Sequence, residues 1–135
     1  MKIRLSSYDK KMKKKKIKRK TIGKLKEEAD RAMQDHFRRI KTHCEMCGGQ
    51  YQVAHHFIWK SQSNYLRYDE KCLIFVCNKC HSKFHAFPDP TYPIKVYKMR
   101  GLEWEKYIED HRHLVKRDNR LEIEEIIKKY TNEVY

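Results

Sequence analysis

Apolar positions along this chain change their period several times, and each change marks an element. Ile22, Leu25, Ala29, Ala32, Met33, Phe37 and Ile40 recur at the three-to-four spacing of a helix, with Thr21 placed to cap it. Lys24, Lys26, Arg31, Arg38, Arg39 and Lys41 fill the remaining faces. The pattern predicts a helix over 21–42 whose apolar stripe packs on a core. Tyr51–His56 reads as a short strand and Phe57–Lys71 as a long polar loop with Ser61, Ser63 and Asn64. Cys72–Val76 reads as an apolar strand, and Asn78–Phe87 as a short helix stopped by Pro88. The block 43–87 therefore runs strand, loop, strand, helix, and the fold class is α+β. The prolines of PDPTYP predict a linker over 88–99. A helical segment follows over 100–135, with helices near 100–115 and 119–131. The second of these has Asp118-Asn119 as a cap and Leu121, Ile123, Ile126, Ile127 and Tyr130 on its buried face.

Charge changes how the first twenty residues are read. Residues 1–20 hold eleven of the 32 Lys/Arg but one of the 18 Asp/Glu, so +10 of the formal +14 lies in them. Such a segment is too charged to pack and is predicted to be a basic arm, disordered until it meets a polyanion. Lys13, Lys14, Lys15, Lys16, Lys18, Arg19 and Lys20 are its candidate DNA contacts. The bland alternative is a solvated leader. No apolar stretch with a small-residue cleavage site opens the chain, and no run reaches the roughly 18 apolar residues of a membrane span. The expectation is a cytoplasmic protein with no membrane partner. Disulfides are rare there, so its five cysteines are judged first as metal ligands.

Cys44-x-x-Cys47 and Cys77-x-x-Cys80 make two knuckles. Two residues between thiolates let both sulfurs reach one ion at about 2.3 Å, and Gly48-Gly49 lets the backbone turn around it. The four are candidate ligands of a structural Zn2+. A chain with only 39% hydrophobic residues has a thin core and gains from such a staple. The alternatives are four unrelated buried cysteines or a redox pair. Cys72 is weighed as a buried strand cysteine against a fifth ligand, and the former is preferred.

Histidines interleave with the knuckles. His81-x-x-x-His85 puts two imidazoles on one helical face, within reach of one ion. His55 and His56 are neighbours in a strand and point to opposite sides, so one can face a metal while the other faces a water. A divalent ion beside a neutral imidazole is what phosphodiester hydrolysis requires: positive charge where negative charge accumulates, and a base near pH 7. Surface histidines or spare zinc ligands are the plain alternative.

These residues resemble the HNH nuclease family, whose core is a ββα-metal unit, over about 44–85. The resemblance implies that His55, His81 and His85 bind the divalent ion, that His56 is the general base, and that cleavage leaves 5′-phosphate ends. The ion expected is Mg2+ or Mn2+, with Zn2+ and Ni2+ as further candidates. A longer likeness covers most of 22–131. KLKEEADRAMQDHFRRI leads into the first knuckle, AHHFIWKSQSNYLRYDEKC into the second, and LEIEEIIKKY closes the chain. This order is similar to the phage recombination proteins NinG and Rap. It implies an HNH DNA endonuclease acting on branched recombination intermediates such as four-way junctions or D-loops, in a bacterial host cell. Two cuts at a junction would call for a homodimer. Lys60 and Arg67 join the candidate DNA contacts, with Tyr68 placed to stack on a base.

Cys72 departs from the family pattern. It stands where HNH proteins carry a middle asparagine that orients the loop bearing the base, and a thiol is a weak hydrogen bonder. Asn64 is the candidate substitute. The competing reading is a zinc-stabilised module that binds nucleic acid without cutting it. Neither the paired-cysteine, paired-histidine spacing of a zinc finger nor a helix-turn-helix glycine turn is present to support a transcription factor.

Overall fold

A computed structural model describes residues 18–131. Among them are five α-helices and one two-stranded sheet, in the order α1 (Ile22–Ile40), β1 (Val53–His56), β2 (Leu73–Val76), α2 (Asn78–Ser82), α3 (Thr91–Arg100), α4 (Leu102–His111) and α5 (Arg120–Thr131). No helix among the described residues is long and apolar enough to cross a membrane. The mixed helical and sheet class expected from the sequence is what the chain adopts. Lys13, Lys14, Lys15 and Lys16, with most of the proposed arm, lie outside the described residues.

Helix α1 begins where the apolar period begins. The Thr21 side chain accepts a hydrogen bond from the Lys24 N–H, and Arg38 and Arg39 sit in the last turn, where cations suit the carbonyl end of the dipole. Its buried stripe is Leu25, Ala29, Ala32, Met33, His36 and Phe37. Ile40, the last residue before the C-cap Lys41, is not part of it and is 42% exposed. The stripe packs on α5, where Ile123 and Tyr130 are buried and Ile126 and Ile127 partly so. Leu121, expected on that face, is 71% exposed. Two residues from Ile123 is about 200° around a helix, so it points away.

The strands pair antiparallel in the register Val53↔Val76, Ala54↔Phe75, His55↔Ile74 and His56↔Leu73. Alternation then sorts the side chains. Ala54, Leu73 and Phe75 join Met33, Phe37 and Tyr130 in the core beneath α1 and α5. Ile74, Val76 and, at the margin, Val53 join the cysteine knuckles and Val96 of α3 in a second cluster. The outer edge of β1 is covered by Gln34 of α1, whose amide donates to the Ala54 carbonyl at 2.8 Å and accepts from its N–H at 3.0 Å. That side chain does for the edge what a third strand would do.

Three boundaries differ from the sequence expectation. Cys72 closes a 3₁₀ turn, Glu70–Cys72, instead of opening β2. Helix α2 ends at Ser82 rather than Phe87. Beyond it the chain tightens into three-residue turns, with Phe84 N–H donating to the His81 carbonyl and His85 N–H to that of Ser82. The stretch predicted as a linker over 88–99 is mostly helix α3. Asp89 accepts from the Thr91 N–H and hydroxyl, and Pro93 sits in the first turn, where its missing N–H leaves no bond unmade. Gly101, at a φ of +89°, separates α3 from α4, and α4 (Leu102–His111) lies where a helix is expected near 100–115.

Candidate metal centres and the cleft beside them

The two knuckles converge. The Sγ atoms of Cys44, Cys47, Cys77 and Cys80 all lie within 4.8 Å of one another. Those of Cys47 and Cys77 are 3.7 Å apart, against about 3.8 Å for two ligands of a tetrahedral zinc with bonds of about 2.3 Å. Gly48, at a φ of +74°, makes the turn between the first pair and the strand. A Cβ at Gly49 would stand 3.3 Å from the Cys47 sulfur, a tight contact that favours a residue without one. Backbone N–H groups point at sulfur as a thiolate needs, Gly49 to Cys47 and Cys80 to Cys77, each at 3.4 Å. Burial resists ionisation of Cys44, yet backbone donors from Cys47, Cys77 and Met46 outweigh it and bring the thiol down to about 7. Burial, with the neighbouring thiols, drives Cys80 up to about 12. Four thiols that cannot all ionise together without a cation are the chemistry of a zinc site, and the cluster fits a structural metal such as zinc.

Cys72 is outside this cluster. It is fully buried, its thiol is pushed up to about 11 by burial, and its Sγ accepts from the Ile58 N–H at 3.4 Å. It is a core cysteine that pins the start of the long loop, as preferred from the sequence. Asn64 does not reach the histidines. Its amide donates to the Lys116 carbonyl and accepts from the Lys116 N–H, tying the loop to the approach to α5.

A second group forms on the same side of the sheet. His55, His81 and His85 bring ring nitrogens within 4.8 Å of one another, with His55 Nδ1 and His85 Nε2 3.2 Å apart. Nitrogens sharing an ion at about 2.0–2.1 Å are separated by roughly 3.0–3.4 Å. His85 reaches the group from the turn after α2, not from its face. Phe84 stacks on His55 at 4.4 Å and Trp59 lies against His85 at 4.9 Å, which fixes two of the three rings. Burial, then the neighbouring histidines, lowers His55 to about 3, and burial with His85 lowers His81. Both are held neutral at pH 7, the form that can bind a metal.

His56 points to the opposite face. Its Nε2 lies 2.9 Å from the Arg67 carbonyl oxygen. A carbonyl only accepts, so Nε2 carries the proton and Nδ1 keeps a lone pair. Burial pushes His56 down to about 4, against the pull of that carbonyl.

Both faces open on one cleft of about 610 Å³, lined by all four histidines, by Trp59 and Lys60 of the loop, and by Asp30, Arg31, Gln34 and Arg38 of α1. Lys60 is half exposed on this rim and pairs with Asp30 at 3.3 Å. Arg67 is not: its side chain is 14% exposed and paired with Asp30, so the anticipated phosphate contact is turned inward. Tyr68 likewise donates its hydroxyl to the Lys26 carbonyl and packs on the α1–α5 core, which removes it as a base-stacking platform. Lys18, Arg19 and Lys20 are exposed, and Lys20 pairs with Glu28 at 2.7 Å. The sequence reading placed Arg31 and Arg38 off the apolar stripe but did not make this basic rim of α1 a candidate contact. Its signal was the polar spacing of Arg31, Gln34 and Arg38, which lies along the helix opposite the apolar stripe.

Comparison with protein-family models, with curated proteins and with solved structures finds no match for this chain.

Proposed function

We propose that this chain is a zinc-stapled, metal-dependent DNA endonuclease of the HNH kind, with His56 as general base. One observation carries the reading. Neighbouring histidines leave β1 on opposite faces, His55 to join His81 and His85, His56 to present a neutral Nδ1, and all four line one cleft. A divalent ion held by His55, His81 and His85 would supply positive charge beside the scissile phosphate. Nδ1 of His56 takes the proton of the attacking water, since Nε2 is occupied by the Arg67 carbonyl. Arg31, Arg38 and Lys60 hold flanking phosphates, and Trp59 lies against the His85 ring. The four-cysteine cluster is structural and takes no part in the chemistry. The likeness to NinG and Rap proteins directs the reading toward branched recombination intermediates.

The test is cleavage of a labelled four-way junction, a D-loop and a matched linear duplex, with magnesium, manganese or EDTA. Metal-dependent cutting that favours the branched forms is expected. If no DNA form is cut under any metal while binding persists, the nuclease reading fails and the non-catalytic zinc module takes its place.

The basic arm has its own expected result. Deleting residues 1–20 should weaken DNA affinity and flatten its dependence on salt, by about 0.7–0.9 in logarithmic slope for each phosphate that the arm neutralises. Titrations at several salt concentrations measure both, and an unchanged slope would remove the arm from the interface.

A further inference from the structure

Asp30 ties together two parts of the chain beneath the histidines. It lies on the cleft side of α1, and its carboxylate takes both arms of the Arg67 guanidinium: Nε donates to Oδ1 at 3.1 Å, and Nη2 donates to Oδ2. Lys60 reaches the same Oδ2 at 3.3 Å. The Arg67 and Asp30 side chains are 14% and 17% exposed, so this is not a surface ion pair made in water. A mostly buried pair contributes little net stability once desolvation is counted. What a planar two-point contact does supply is geometry, because it fixes rotation as well as distance. The residue so fixed is the one whose carbonyl receives His56 Nε2. On either side of it, the Leu66 N–H donates to Ser63 Oγ and the Tyr68 hydroxyl to the Lys26 carbonyl, so the segment is held at three consecutive residues.

We propose that Asp30 is a positioning residue for His56. By clamping Arg67 it sets the carbonyl that keeps the imidazole proton on Nε2 and leaves Nδ1 to accept a proton. The consequence for catalysis rests on the nuclease reading, whereas the control of the tautomer does not.

The test reads the His56 tautomer by nitrogen-15 NMR of the histidine side chains in the full zinc-loaded chain, with His56→Gln identifying its signal. Cleavage is followed in parallel. In the wild type His56 is expected as the Nε2–H form with a slowly exchanging ring proton. Asp30→Asn keeps one oxygen acceptor for Arg67 and so preserves the packing. It is expected to populate both tautomers, to lose the slow exchange, and to lower kcat about 10- to 100-fold at unchanged KM. Should that variant not fold, Arg67→Lys carries the same readout, since it keeps the charge but not the two-point contact. A wild type in the Nδ1–H form, or a variant with wild-type tautomer and exchange, overturns the proposal whatever its activity. Tautomer control lost in Asp30→Asn, with no DNA cut even by the wild type, supports the clamp and sinks the nuclease reading alone.

Discussion

Removing the metal from the four-cysteine cluster is expected to unfold the chain. The cluster joins the loop before β1 to the start of α2, and its cysteines pack in one core group with Ile74, Val76 and Val96. Without a cation the buried thiols cannot all ionise, as Cys80, pushed up by burial and by its neighbouring thiols, shows, and nothing ties the two knuckles together. A structural zinc contributes on the order of 10–16 kcal/mol, as much as or more than the roughly 5–15 kcal/mol by which a whole domain is stable. Cys77→Ser with Cys80→Ser, or treatment with a strong chelator, should therefore abolish the cooperative thermal transition and expose the core to a hydrophobic dye. Zinc released on denaturation should be at least one ion per chain. Cys72→Ser should keep the zinc, because that thiol lies outside the cluster. A cooperatively folded chain free of metal would refute the structural role.

His56→Ala is expected to lower metal-dependent cleavage about 10²- to 10⁴-fold, the usual size of a lost general base. DNA affinity should change little, since the ring touches the cleft wall and the Arg67 carbonyl, and Lys60, Arg31 and Arg38 remain. His81→Ala should behave differently. It removes one of three candidate metal ligands, so its defect should shrink as the metal concentration rises. Single-turnover cleavage over a metal titration separates the two variants. Equal recovery of both at high metal would assign His56 to metal binding and not to proton transfer.

The departure at Cys72 reads differently once the loop is seen. The asparagine expected there would brace the loop that carries the base. Here the thiol holds the Ile58 N–H at the start of the loop, while Asp30 holds Arg67 further along it. On the proposed reading, that task is divided between residues that no local motif links, one of them on α1.

Features that depend on spacing along the chain are legible in the residues themselves. The four zinc-type ligands stand out because two residues between cysteines set the reach of both sulfurs. The opposed directions of His55 and His56 follow from the two-residue period of a strand, and the stripe from Leu25 to Phe37 from the period of a helix. Other features depend on packing between distant elements. His85 meets His55 although the helix that was to carry it ends at Ser82, because the turns beyond bring the chain back over Phe84. Pro90 and Pro93 begin a helix instead of a linker, because Asp89 accepts from the Thr91 N–H at its start and Val96 gains a buried place. Arg67 faces inward because Asp30, thirty-seven residues earlier, offers a carboxylate across the fold. Whether a charged side chain meets solvent or a buried partner is settled by which distant element packs against it, and no local pattern records that choice.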